Sequence, residues 1–219
     1  MRFILPILLV ITLISCNNDD DDTSISQEEA VADVGFFNLR LGNTWTYEYF
    51  RREQNNEQSD FITTGTIEER EIIGRSVVDD EVIYTFQVTT SFGENDFFSE
   101  FDDELVTFQV KDSLGYLIRI NDRIRFSSES SEGYLISSQN FGDVFGVLLE
   151  TPETIETPIG TFDCSVNEIF AVFPNGDLSP GRDTILNADG IGTILERLSF
   201  VSTPFHFVER RLISFDFPE

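Results

Sequence analysis

The chain has 219 residues, 22 of them Phe, and sets 40 acids against 14 bases for a formal net charge of −26. A negative field of that size repels nucleic acid and anionic headgroups, so neither is an expected partner. There are two cysteines, and the length suits one all-β domain plus a tether, large enough to bury a core without covalent staples.

Arg2 precedes an apolar run, Phe3 to Leu13, followed by Ile14, the small residue Ser15 and then Cys16. The run is too short for a spanning helix, which takes roughly 20 residues, and reads instead as a secretion signal. The tetrad Leu13-Ile14-Ser15-Cys16 resembles the lipobox of bacterial lipoproteins. That resemblance implies that residues 1–15 are a removable lipoprotein signal peptide and that Cys16 carries the acyl chains. Two or more chains hold a protein at a membrane stably where one does not. Cys164 would then have no partner within the chain.

Residues 16–34 hold Asp19, Asp20, Asp21 and Asp22, then Glu28, Glu29 and Asp33, with no Lys or Arg. So polar a segment cannot bury enough apolar surface to order itself and is expected to be a tether. It also resembles the Cys-plus-acidic export signal of Bacteroidota lipoproteins that reach the cell surface. The expected address is the outer membrane, lipid-anchored and facing outward, with a periplasm-facing lipoprotein as the alternative.

From residue 35 to 219 the chain reads as a single β domain. Trp45, Tyr47 and Tyr49 alternate with Thr44, Thr46 and Glu48, which puts the aromatics on one strand face, a core face rather than a ligand platform. In the segment Asp60–Ile73, Phe61, Thr63, Gly65 and Ile67 share one side. Val82, Tyr84, Phe86 and Val88 mark the next strand, and Val106, Phe108 and Val110 another. Lys111-Asp112-Ser113-Leu114-Gly115 and Asn121-Asp122 read as hairpin turns around Tyr116, Ile118 and Ile120, with Ile124 and Phe126 beyond. Ser127–Gly133 is expected to be a loop and Asn140–Pro158 irregular. Phe162, Cys164 and Val166 share a face. The apolar set then shifts to Ile169, Ala171 and Phe173, which predicts a β-bulge at Asn167-Glu168. Pro174–Asp183 is the expected mobile loop. Ile194, Leu198 and Phe200 mark a further strand. The final one, Phe205–Phe217, groups Phe205, Phe207, Ile213, Phe215 and Phe217 with Arg211 among them.

Convincing amphipathic helices are absent, successive hairpins imply antiparallel neighbours, and no repeat of solenoid or propeller period is present. Three landmarks, Gly42-Asn43-Thr44-Trp45-Thr46-Tyr47, Thr157-Pro158-Ile159-Gly160-Thr161-Phe162-Asp163-Cys164 and Gly190-Ile191-Gly192-Thr193-Ile194, resemble those of uncharacterised secreted lipoproteins of Bacteroidota. The resemblance implies an all-β fold, a single large curved antiparallel sheet or open barrel, a meander of about nine to eleven strands, similar to lipoprotein-carrier half-barrels. It does not by itself transfer an activity.

Candidate chemistry is sparse. A lone histidine, His206, cannot assemble a His-based triad or a multi-His zinc site, and it falls opposite the Phe face. Cys164 reads as a small buried hydrophobe. Glu100, Asp102, Asp103 and Glu104 offer oxygen ligands, but their spacing matches no EF-hand loop, and a solvated charged turn is the expected state. No catalytic residue, metal or cofactor is assigned. The expected function is a non-enzymatic binding or scaffold module of the outer membrane, holding an apolar small molecule or a protein partner. Its alternatives are a structural or assembly partner with a closed core and, further off, a carboxylate-based hydrolase.

Overall fold

The computed structural model describes residues 35–96 and 103–218. These lie in the unit Val34–Glu219; the expected signal peptide, Cys16 and the acidic tether are outside the described residues. All regular structure there is β. Thirteen strands form one antiparallel sheet in the order β6-β5-β4-β3-β2-β1-β13-β12-β11-β10-β8-β7, with β9 paired to β10 off this path. The strands are β1 Thr44–Arg52, β2 Phe61–Val78, β3 Glu81–Ser91, β4 Glu104–Ser113, β5 Tyr116–Arg119, β6 Ile124–Ser127, β7 Tyr134–Gln139, β8 Gly142–Leu148, β9 Glu153–Thr157, β10 Gly160–Val172, β11 Asp183–Ala188, β12 Gly192–Leu198 and β13 Val208–Asp216. The curved sheet nearly closes into a barrel, because the edge strand β6 packs back against β7 and β8.

Local chemistry sets the hairpins. Asp79 and Asp80 link β2 to β3 with φ of 49° and 66°, and Leu114 and Gly115 link β4 to β5 with φ of 52° and 74°. Two successive positive φ values are what a two-residue turn needs if its twist is to match the strands it joins. The expected count of nine to eleven strands falls short because β8 and β9 form within Asn140–Pro158, where irregular chain was expected, and β7 in a stretch to which no element was assigned. Glycine does the unexpected work in β8. A Cβ on Gly146 would collide with the ring of Tyr134 on the paired strand β7, so the missing side chain is what lets the two strands and that ring share the space.

The bulge expected at Asn167-Glu168 is absent. Cys164 to Ile169 pair with Ala188 to Asp183 without a shift, and so do Asn167 to Val172 with Leu148 to Asp143. Here β10 is buried on both sides in turn. Cys164 and Val166 pack on one face, while Asn167 and Ala171 are buried on the other, so the apolar set changes face while the ladder stays regular. Real register shifts occur elsewhere, between Thr46 and Tyr47 against β13 and between Ile72 and Gly74 in β2.

The last strand starts at Val208, later than expected, so Phe205 and His206 precede it. Its Phe residues do not form one face: Phe207 packs on Phe200, while Phe215 and Phe217 stack on each other and Phe217 meets Trp45. The residues inside are Arg210 and Leu212; Arg211 lies over the Phe50 ring at 4.1 Å. Pro174–Asp183 is pinned rather than loose. Buried Ser179 accepts the Ala171 N–H with Oγ at 2.9 Å and donates to the Gly181 carbonyl at 2.9 Å.

The interior has two halves. In one, Trp45 stacks on Phe86 and Phe86 on Phe108, with ring centroids 5.9 and 5.3 Å apart, beside buried Ile72, Val110 and Leu212. A void of only about 60 Å³ remains there. The other half is open.

Candidate functional site

A layer of charge separates the two halves. Alternation along β2 turns Thr64, Thr66, Glu68, Arg70 and Ile72 toward the interior, the opposite parity from the Phe61, Thr63, Gly65 and Ile67 set. Val208, Arg210 and Leu212 share a face of β13, and Glu196 of β12 pairs with Arg210 in register. Four charges from three strands therefore meet at one level.

Glu68 is the hub. Its Oε1 accepts Arg70 Nε at 2.6 Å and Arg210 Nη1 at 2.6 Å, and its Oε2 accepts the Tyr49 hydroxyl at 2.8 Å. Arg210, 2% exposed, also places Nη2 at 2.7 Å from Glu196 Oε1, an ion-pair contact off the line of a hydrogen bond. The Tyr47 ring lies under both guanidinium groups, 4.4 Å from Arg210 and 5.2 Å from Arg70, and its hydroxyl donates to the Thr193 carbonyl at 3.1 Å.

The layer's electrostatics follow from burial. Desolvation pushes the Tyr47 phenol well above its usual range, and it does the same to Tyr49, helped by the Glu68 carboxylate. Both phenols therefore stay protonated and act as donors. Burial alone would pull Arg70 down, but Glu68 and its neighbours outweigh it and hold the guanidinium charged. Burial raises the Glu196 carboxyl while Arg70 opposes the rise, and Arg210 Nη2 lies 2.7 Å from it. Two acids and two arginines pair in a water-poor floor.

Above that floor lies a cavity of about 950 Å³, within the size range of small-molecule sites. Tyr49, Thr64, Thr66 and Glu68 form its base. Thr90, Phe92, Leu198 and Val208 form its walls. Arg51, Asp96, Asp103, Glu104 and Leu105 stand at its mouth, the last three of them exposed.

The expected residues fall unevenly on this site. Trp45 and Tyr47 are core, whereas Tyr49, from the same alternation, reaches the cavity. Asp103 and Glu104 are at the mouth; Glu100 and Asp102 lie outside the described residues. Cys16 and Asp19, Asp20, Asp21 and Asp22 do as well. His206 is away from the cavity lining; its carbonyl accepts Arg52 Nε at 2.7 Å, and burial, with Arg197 nearby, pulls its imidazole below the usual value. Cys164 is fully buried, and desolvation pushes its thiol up to about 11. Among the described residues no group of three or more His, Cys, Asp and Glu is placed to hold a metal ion.

Sequence reading missed Glu68, Arg70, Glu196 and Arg210. One signal was available: Arg210 takes the place of an apolar residue between Val208 and Leu212.

No family model matches the chain, and no curated protein does. Among solved structures, it is similar to a predicted lipoprotein from Parabacteroides distasonis, with a TM-score of 0.51 at 8% identity, over 83% of this chain and 98% of the other. A predicted exported protein with a YmcC-like fold from Bacteroides fragilis gives a TM-score of 0.49 at 12% identity, over 83% and 99%. The first likeness establishes a shared fold.

Proposed function

We propose that this chain is a lipoprotein of the outer membrane, anchored through acyl chains on Cys16 and carried to the cell surface by the Asp19–Asp22 run, whose β domain binds a small, partly apolar molecule without transforming it. The cavity carries this reading. A fold serving only as scaffold has no need to leave about 950 Å³ open on one side of a sealed ionic floor when its other half is packed to a void of about 60 Å³. The predicted lipoprotein of Parabacteroides distasonis that shares the fold supports the exported, anchored setting. In Glu68, the carboxylate at the base, both oxygens already serve three partners, which suits a binding floor better than a proton-transfer group. Native mass spectrometry of the protein purified from its own membrane tests the reading. The expected result is one co-purified molecule per chain beyond the acyl mass; a bare acylated chain would favour the structural partner instead.

A further inference from the structure

The cavity's polar groups are distributed in a way that bears on what fills it. At the base, every polar side chain is already used. Thr64 Oγ1 donates to the Tyr49 carbonyl at 3.0 Å and accepts the Thr66 N–H at 3.2 Å. Thr66 Oγ1 donates to Asp96 Oδ2 at 2.5 Å and accepts the Gly93 N–H at 3.0 Å. Both oxygens of Glu68 are engaged, by Arg70 and Arg210 on Oε1 and by Tyr49 on Oε2. Toward an incoming molecule the base therefore behaves as apolar surface, continuous with Leu198 and Val208.

The mouth differs. Among the described residues, three carboxylates, Asp96, Asp103 and Glu104, stand there with one guanidinium, Arg51, whose Nε donates to the Asn95 carbonyl at 3.0 Å. The floor beneath sets two acids against two arginines, and the chain as a whole is strongly negative. A fatty acid or a phosphate headgroup would have to lodge among like charges, whereas a cation meets a focused negative field.

Resting on the cavity being a binding site, we propose that its occupant is an amphiphile with a positively charged headgroup. Its apolar tail lies along Tyr49, Leu198 and Val208, and its ammonium or guanidinium group sits at the mouth beside Asp103 and Glu104. Specificity comes as much from rejecting anions as from attracting the cation.

The test uses the acylated full-length protein in an uncharged detergent, titrated with dodecyltrimethylammonium or with dodecanoate and read by native mass spectrometry. The expected result is a one-to-one adduct with the cation, formed at least about tenfold more readily than with the anion. That preference should fall several-fold in D103N/E104Q, and Val208→Trp, or Leu198→Phe should the first not fold by circular dichroism, should remove the adduct. Equal or stronger binding of dodecanoate overturns the headgroup assignment while leaving the cavity a binding site. An undiminished preference in D103N/E104Q overturns it too, since the cation would then be answering the overall charge. Absence of any adduct overturns it as well, and the co-purified mass then decides separately whether the cavity binds anything.

Discussion

Asn167 of β10 grips the backbone of Ser127 in β6 with both ends of its amide: Nδ2 donates to the Ser127 carbonyl at 2.8 Å, and Oδ1 accepts the Ser127 N–H at 2.7 Å. The Tyr134 hydroxyl adds a third bond to the same Oδ1 at 2.6 Å. No ladder joins β6 to β8 or β7. A side chain thus imitates a strand at the seam where the sheet meets itself, with all of its hydrogen-bonding groups buried.

Asn167→Ala should cost about 2–4 kcal/mol, because it strands a buried N–H, a carbonyl and a phenol together. Tyr134→Phe should cost about 1 kcal/mol, since Oδ1 keeps its bond to Ser127. Urea unfolding followed by circular dichroism measures both. An Asn167→Ala midpoint equal to that of the wild type would mean the seam is held by packing alone.

Arg210→Met should destabilise the domain by about 3–5 kcal/mol, since it leaves Glu196 without its 2.7 Å partner and Glu68 with only Arg70 and the Tyr49 hydroxyl. Arg210→Lys should recover less than half of this, because one ammonium cannot reach two carboxylates that the guanidinium spans. Adding Glu196→Gln to Arg210→Met should restore part of the loss, and a double variant no better than the single would break the assignment of Glu196 to this layer.

His206 is the single imidazole in the chain, so its NMR signal needs no assignment. Burial and then Arg197 lower its folded value below the ordinary 6.5, so the unfolded chain takes up the proton first. Its contribution to stability is intact above pH 6.5 and is lost as pH falls from 6.5 through the folded value. The titration midpoint should lie below 6.5. The stability of the wild type relative to His206→Gln should shrink between pH 7.5 and 5; a midpoint at or above 6.5 contradicts this.

Radioactive palmitate should label the chain in cells, and Cys16→Ala should abolish the label. Replacing Asp19–Asp22 by Ala should leave labelling intact but reduce digestion of the protein when protease is added to whole cells. Unchanged digestion would separate the acidic run from export.

The β architecture was legible where side chains speak for themselves. The Trp45-Tyr47-Tyr49 alternation, the Leu114-Gly115 turn and the regular Val82–Val88 strand all stand where their patterns put them. The pattern failed where a strand's reason lies on its neighbour. β8 contains Gly142 and Gly146, poor strand formers alone, and Gly146 makes sense only against the Tyr134 ring. The ionic layer failed for a related reason. Glu68-Glu69-Arg70-Glu71 reads as solvated surface in one strand, and nothing local says that Arg210 and Glu196 arrive from β13 and β12 at the same height. The cavity was illegible altogether, since open space belongs to the curvature of the whole sheet.

β1 and β13 are neighbours in the middle of the sheet, Thr44 against Asp216 and Arg51 against Val208. They are separated by nearly the whole domain in sequence. A chain threaded outward from its amino end must therefore wait, with the β1 side of the sheet unpaired, until its final strand emerges. Closing that longest loop is the costly step. Loss of β13 would divide the molecule through its centre, not trim an edge.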